Sequence, residues 1–188
     1  HGKSLCISTQ VGCRMGCQFC ASTIAGYVRD LQPSELLLQI YETQRDAGCR
    51  IDSIVLMGIG EPLDNFDNVV QFFRLLSHPD GMNMSLRHAA LSTCGLVPQI
   101  RQLADLRLGV TLSVSLHSPE NQRRSEIMPV NRRYPVEELL DACKKLRSYI
   151  TTDESAAPDL FIKMFAGGQP ITAEEYNALT ALRMENTG

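Results

Sequence analysis

The chain has 188 residues, 44% of them hydrophobic and 21% charged, enough for one sizeable domain with one buried core and an ordinary composition for a soluble globular protein. A formal net charge of −3 excludes a global basic field that would draw it to nucleic acid, and no apolar run approaches the about 18 residues of a membrane span. Seven cysteines, an odd number without a secretion-type leader, argue against a disulfide framework and for a reducing compartment, so a cytoplasmic location is expected. The first residue is His1 rather than Met, which suggests a processed, excised or incomplete chain.

In chain order, "SLCIST" (4–9) reads as a short buried strand and leads into the cysteine-rich loop "VGCRMGCQFC" (11–20). A helix is expected from about Pro33 to Ala47, with Leu36, Leu37, Ile40 and Tyr41 on one face, Pro33 near its start and Gly48 at its end. "SIVLMG" (53–58) is a second strand, followed by "EPLDNFDN" and an amphipathic helix near Val69–Leu76. "HAALST" (88–93) is a third, with a helix near Pro98–Ala104. "GVTLSVSL" (109–116) is a fourth, followed by a loop and a helix at about 135–149.

Four strand-helix units with near-continuous apolar strands indicate an α/β fold with a parallel sheet covered by helices. In such folds ligands gather beyond the carboxyl ends of the strands. The cysteine loop, "GIGEP" (58–62), "STCG" (92–95) and "SLHSP" (115–119) each follow a strand, and this coincidence outweighs any one motif. After about Ile150 the pattern changes, so residues 1–150 form the expected core and 151–188 a tail. In that tail "TTDESAAPD" (151–159) reads as a linker and "LFIKMF" (160–165) as a further strand able to cover the sheet edge. The segment 172–185 opens with Thr172 and Glu175 at capping-box spacing. The basic pairs Arg123–Arg124, Arg132–Arg133 and Lys144–Lys145 read as solvated faces.

Cys13, Cys17 and Cys20 are spaced C-x-x-x-C-x-x-C. A closed tetrahedral zinc site needs four ligands. Three thiolates on one loop suit three irons of a [4Fe–4S] cluster and leave the fourth iron open for a small molecule. That reading is favoured from spacing, with two others open: zinc with a distant fourth ligand (Cys6, Cys94 or a His), and unliganded thiols.

The triplet resembles the signature of the radical S-adenosylmethionine (SAM) enzymes. "LCISTQVGCRMGCQFCAST", "MGIGEPLDN", "LSTCGLVP" and "VSLHSPENQRRSEIMPVNRRYP" are similar, in that order, to the adenine-C2 methyltransferases of 23S rRNA and tRNA, the RlmN type. The likeness to the related Cfr resistance methyltransferases is weaker, because this chain reads "GEP" at 60–62. The similarity covers about residues 4–149, roughly three quarters of the chain. It implies a partial radical SAM (β/α) TIM-like barrel, incomplete relative to the usual six units. It implies Cys13, Cys17 and Cys20 as cluster ligands, Gly60 and Glu61 meeting SAM, Ser92 hydrogen-bonding SAM, and Ser115, Leu116 and His117 lining its far side. Alone, these last residues read as a turn, a strand-end cap and a satisfied core histidine.

The resemblance also implies that SAM chelates the open iron and is cleaved to a 5′-deoxyadenosyl radical. In the family a cysteine near the C-terminus first takes a methyl from SAM. The radical from a second SAM abstracts hydrogen from that S-methyl group, and the carbon radical adds to C2 of adenine. The family position matched by Cys6 helps resolve the protein–RNA adduct through a disulfide with the methyl-bearing cysteine. Such chemistry requires an electron donor such as flavodoxin or ferredoxin. The family's C-terminal stretch, similar to "DIDAACGQL", has no counterpart here: Cys49, Cys94 and Cys143 lie in other contexts, and Cys49 and Cys143 read as buried or half-buried thiols. The tail and the region before "LCIST" likewise lack the family's later barrel strands and its RNA-binding part. The alternative expectation is a zinc-binding or inactive structural remnant of the same fold.

Overall fold

The computed structural model describes residues 2–151, 162–166 and 169–170. In chain order the strands are β1 (Ser4–Cys6), β2 (Gln10–Gly12), β3 (Tyr27–Asp30), β4 (Ser53–Leu56), β5 (Ala89–Thr93), β6 (Thr111–Ser115), β7 (Ile162–Ala166) and β8 (Gln169–Pro170). The helices are α1 (Pro33–Ala47), α2 (Phe66–Ser77), α3 (Val97–Leu106), α4 (Asn121–Ile127) and α5 (Val136–Thr151).

The main sheet runs β1-β4-β5-β6-β7-β8, parallel as far as β7, with β8 antiparallel on the outer edge. Register aligns Leu56 with Leu91, Leu91 with Leu112 and Leu112 with Ile162. Leu56, Leu91 and Leu112 are all buried, so one row of side chains crosses the sheet inside the core. The expected parallel sheet with helices is therefore present, and Ile162–Ala166 covers the open side of β6 as anticipated from "LFIKMF".

Helix α1 has the expected bounds, for the expected reasons. Pro33 stands in the first turn, and Gly48 ends the helix in the left-handed region at φ 59°. Its apolar face is narrower than the periodicity predicts: Leu36 and Ile40 are buried, Leu37 is half-buried and Tyr41 is exposed. Helix α2 begins three residues before Val69, because the polar first turn "FDN" hides the period. It buries Val69, Val70, Phe72, Phe73 and Leu76, and truncating either phenylalanine to Ala would cost about 3–5 kcal/mol. α1 and α2 pack together, as do α3 and α5, and Cys143 is buried in the latter's apolar face.

Three expectations are corrected. The first strand is shorter than "SLCIST": beyond Cys6, Ile7 still donates its N–H to the Val55 carbonyl (3.0 Å), but Thr9 and Gln10 turn to the Ile59 carbonyl (2.9 and 3.2 Å). The stretch read as a loop after β6 contains α4, whose sequence NQRRSEI has no apolar period to announce it. Arg124, read with Arg123 as a solvated pair, is fully buried, whereas Arg132, Arg133, Lys144 and Lys145 are exposed. Of the linker expected at 151–159 only Thr151 is described, as the last residue of α5, and the capped segment at 172–185 lies outside the described residues. Among the described residues no helix is long and apolar enough to cross a membrane.

Candidate active site

A cavity of about 200 Å³ opens where the loops following the strands meet. Cys13, Cys17 and Cys20 line it from the cysteine loop, Gly58, Gly60 and Glu61 from the loop after β4, Ser92, Thr93 and Cys94 from the end of β5, and Ser115 from the end of β6. Seven of the ten site residues expected from sequence thus share one cavity. Cys6, Leu116 and His117 are not among its lining residues.

The cysteine loop is held by backbone bonds, a hydroxyl and the Arg14 Nε bond to Asp64 (2.7 Å). Cys20 donates its N–H to the Cys17 carbonyl (3.1 Å), the Thr23 hydroxyl donates to the Cys20 carbonyl (2.8 Å), and Gln18 donates its N–H to the Ile127 carbonyl (2.9 Å) at the end of α4. Cys13 and Cys17 are buried, Cys20 is half-buried, and all seven cysteines of the chain are free. Burial pushes the Cys13 thiol up and the Cys17 thiol up to about 11; the other cysteines and Glu61 oppose ionisation of Cys17 further, while Arg124 favours it. Such thiols stay protonated until a positive centre replaces their protons. Among the described residues no three His, Cys, Asp or Glu side chains are arranged to hold a single metal ion.

The opposite wall is tightly bonded. Buried Glu61 accepts the Leu63 N–H (3.1 Å) and the Cys94 N–H (2.8 Å), with the side chains of Thr93 and Cys94 also bonded to it. Burial pushes its carboxyl up, and those hydrogen bonds pull it down. Gly60 has φ 108°, and a Cβ there would lie 2.6 Å from Gln10 Cβ and 2.8 Å from the Gln10 backbone nitrogen, so the position requires glycine. Gln10, also buried, donates from its side-chain amide to Asp30 and Asp64 (2.8 Å each) and accepts the Glu61 N–H (2.8 Å). The Ser92 and Ser115 hydroxyls, on neighbouring strands, lie 3.5 Å apart.

Of the three residues outside the cavity lining, Cys6 is exposed on β1. Leu116 is fully buried, because strand alternation sends Ser115 to one face and its neighbour to the other. His117, at φ 59°, sets its ring 4.2 Å from that of the cavity residue Phe19, and burial followed by the Arg124 charge lowers its pKa. Sequence reasoning missed Gln10 and Asn65, whose side-chain amide donates to the Thr9 and Leu31 carbonyls (2.8 Å each). Neither carries a local signal, since their partners are distant in sequence. It also missed Arg124, which was visible only as half of a basic pair.

Comparisons with known proteins agree with this architecture. The family model of the radical SAM superfamily matches residues 7–157. The chain is 52% identical over 144 residues to the probable dual-specificity RNA methyltransferase RlmN of Clostridium novyi (strain NT), which covers 77% of this chain and 42% of that protein. It is 51% identical over 164 residues to the corresponding protein of Clostridium acetobutylicum, covering 85% of this chain and 48% of the relative. The chain therefore spans somewhat under half the length of these curated relatives. Among solved structures it is similar to a radical SAM methyltransferase from Sphaerobacter thermophilus, with 29% identity and a TM-score of 0.72 over 98% of this chain and 64% of that one. The sheet of parallel strands is accordingly that of an incomplete radical SAM barrel, and the chain belongs to the radical SAM superfamily, whose chemistry uses a [4Fe–4S] cluster and SAM.

Proposed function

We propose that this chain is the catalytic core of an RNA methyltransferase directed at C2 of adenine in 23S rRNA and tRNA. The observation that carries the reading is the convergence of Cys13, Cys17, Cys20, Gly60, Glu61, Ser92 and Ser115 on one cavity beside the strand ends. About 50% identity to RlmN-type proteins over three quarters of the chain supports the choice of reaction.

The donor set fits the cofactors. Three soft thiols from one loop face a common space, and no fourth thiol of that loop competes for a closed site. When bound, the cluster and SAM supply one-electron reduction, a radical and a methyl group, chemistry no side chain provides. In this reading Cys13, Cys17 and Cys20 hold the cluster. Gly60 allows close backbone approach to SAM, and Glu61, its oxygens already oriented by two backbone N–H groups, faces the SAM ammonium. Ser92 and Ser115 offer hydroxyls to SAM, and Leu116 and His117 back its far side. Cys6 stays outside the cluster and acts on the protein–RNA adduct. Residues 1–150 form the front part of the catalytic core, and the tail 151–188 adds β7 and β8 to its sheet. A low-potential donor of the flavodoxin or ferredoxin kind supplies electrons, and the cytoplasm keeps the seven thiols reduced.

The test is anaerobic reconstitution, iron analysis and EPR with and without SAM, then methylation of rRNA and tRNA. The expected result is about four irons per chain, a spectrum altered by SAM, and SAM cleavage, with 2-methyladenine formed only where a methyl-bearing cysteine is also supplied. Zinc in place of iron, or an iron centre indifferent to SAM, would overturn the reading.

A further inference from the structure

Arg124 is the largest fully buried side chain of the described residues, and it has no anionic partner among them. Its Nε donates to the Leu116 carbonyl (3.0 Å), Nη1 to Asn131 Oδ1 (2.8 Å), and Nη2 to the carbonyls of Cys94 (2.6 Å) and Ser115 (3.4 Å). All four acceptors are neutral. A buried cation left without a counter-charge costs several kcal/mol, whereas neutral donors could tie the same carbonyls without that penalty. A charge placed here calls for an anion nearby.

The geometry indicates which one. Cys94, whose carbonyl Arg124 grips, packs with Cys17 and Met128 in one small apolar cluster. Arg124 is a residue of α4, and the Ile127 carbonyl at the end of that helix accepts the Gln18 N–H (2.9 Å), so α4 carries the guanidinium and also holds the cysteine loop. Gly95 keeps the approach close: at φ 111°, a Cβ there would stand 3.3 Å from Arg124 Nη2.

We propose that Arg124 is the fixed counter-charge of the Cys13–Cys17–Cys20 thiolates and, through it, a positioning residue that raises the reduction potential of the cluster they hold. The inference rests on the cluster assignment above. A [4Fe–4S]²⁺ core with three thiolates carries one net negative charge. Uptake of one electron, from a chemical reductant such as Ti(III) citrate, gives the [4Fe–4S]¹⁺ core and two net negative charges. A cation held beside the site favours the more negative form.

The experiment is an EPR-monitored redox titration of the reconstituted full chain, with Arg124→Gln, Arg124→Lys and Asn131→Asp beside wild type. Asn131→Asp is nearly isosteric and sets a carboxylate on Arg124 Nη1, cancelling the charge without removing the guanidinium. Circular dichroism and iron content establish that each variant is folded and loaded. Arg124→Gln and Asn131→Asp are expected to shift the midpoint negative by about 59 mV or more, a tenfold loss in the reduced-to-oxidised ratio for a one-electron couple. Arg124→Lys is expected to stay near wild type. A folded, loaded Asn131→Asp variant with an unshifted midpoint overturns the inference alone, even if Arg124→Gln fails to fold. A wild-type chain that takes up no cluster overturns the cluster assignment and this inference with it.

Discussion

The two walls of the cavity are built on opposite terms. The cysteine loop presents three thiols and is tied down by a few backbone bonds, one hydroxyl and the Arg14–Asp64 ion pair. The strand-end wall is dense with long-range hydrogen bonds: Glu61 to Cys94, Gln10 to Glu61 and Asp64, Arg124 to Cys94, Ser115 and Leu116. One wall supplies ligands and acquires its charge only on binding; the other is fixed before anything binds. Substitutions should therefore separate binding from folding according to the wall they strike.

The sharpest break is Cys17→Ala. Iron uptake and any SAM-dependent EPR change should fall to background. The urea unfolding free energy should move by no more than about 1 kcal/mol, because the loop contributes little to the core. If iron remains after reconstitution, the loop is not the ligand wall. Gly60→Ala strikes the other wall. Left-handed strain and contact with Gln10 should together lower the unfolding free energy by about 3 kcal/mol or more, seen as an earlier urea midpoint even in the cluster-free protein. An unchanged midpoint would mean that the strand-end wall yields as readily as the loop.

Cys143, on α5 and outside the cavity lining, gives a pH-dependent control. Burial pushes its thiol from the ordinary 9.0 up to about 12. The folded pKa is raised, so its stabilisation is complete below about pH 9 and is lost as pH rises toward 12, because the unfolded thiol ionises while the buried one keeps its proton. The slope is at most about 1.4 kcal/mol per pH unit. Cys143→Ala should remove that share of the alkaline slope in urea melts, leaving the shares of the raised thiols Cys13, Cys17 and Cys94, and lower stability at neutral pH by about 1–2 kcal/mol. An equally steep slope in the variant would show that the thiol is not shielded. The smallest effect is expected for exposed Cys6→Ala: iron content and unfolding free energy should match wild type. If iron content halves, Cys6 is a cluster ligand and belongs with the loop.

Legibility in sequence follows the range of the interactions. Helix α1 could be read because its signals are local: Pro33 at the start, Gly48 at the end, Leu36 and Ile40 between. The four main strands were found as apolar runs, and the cavity followed from which motifs come after them. Helix α4 was missed because its one fully buried side chain is an arginine. The β2–β3 pair was missed because Gln10 joins Asp30 and Asp64, 20 and 54 residues away, and nothing near Gln10 announces those partners. Within the site, the cysteine triplet was readable from spacing, whereas Gly60, Glu61, Ser92 and Ser115 came only with the family resemblance. The burial of Leu116 follows from strand alternation, which a motif match overlooks, and the stacking of His117 on Phe19 depends on a left-handed residue no local rule predicts.

Gln10 also sets a condition for transplanting this site. One buried amide fastens the second strand, the third strand and the loop bearing Glu61, so the cysteine loop is not a detachable cassette. A graft carrying only residues 11–20 into another barrel would bring the thiols and leave behind the joint that sets their distance from Glu61. A working transplant would move Gln10, Asp30, Gly60, Glu61 and Asp64 as a set.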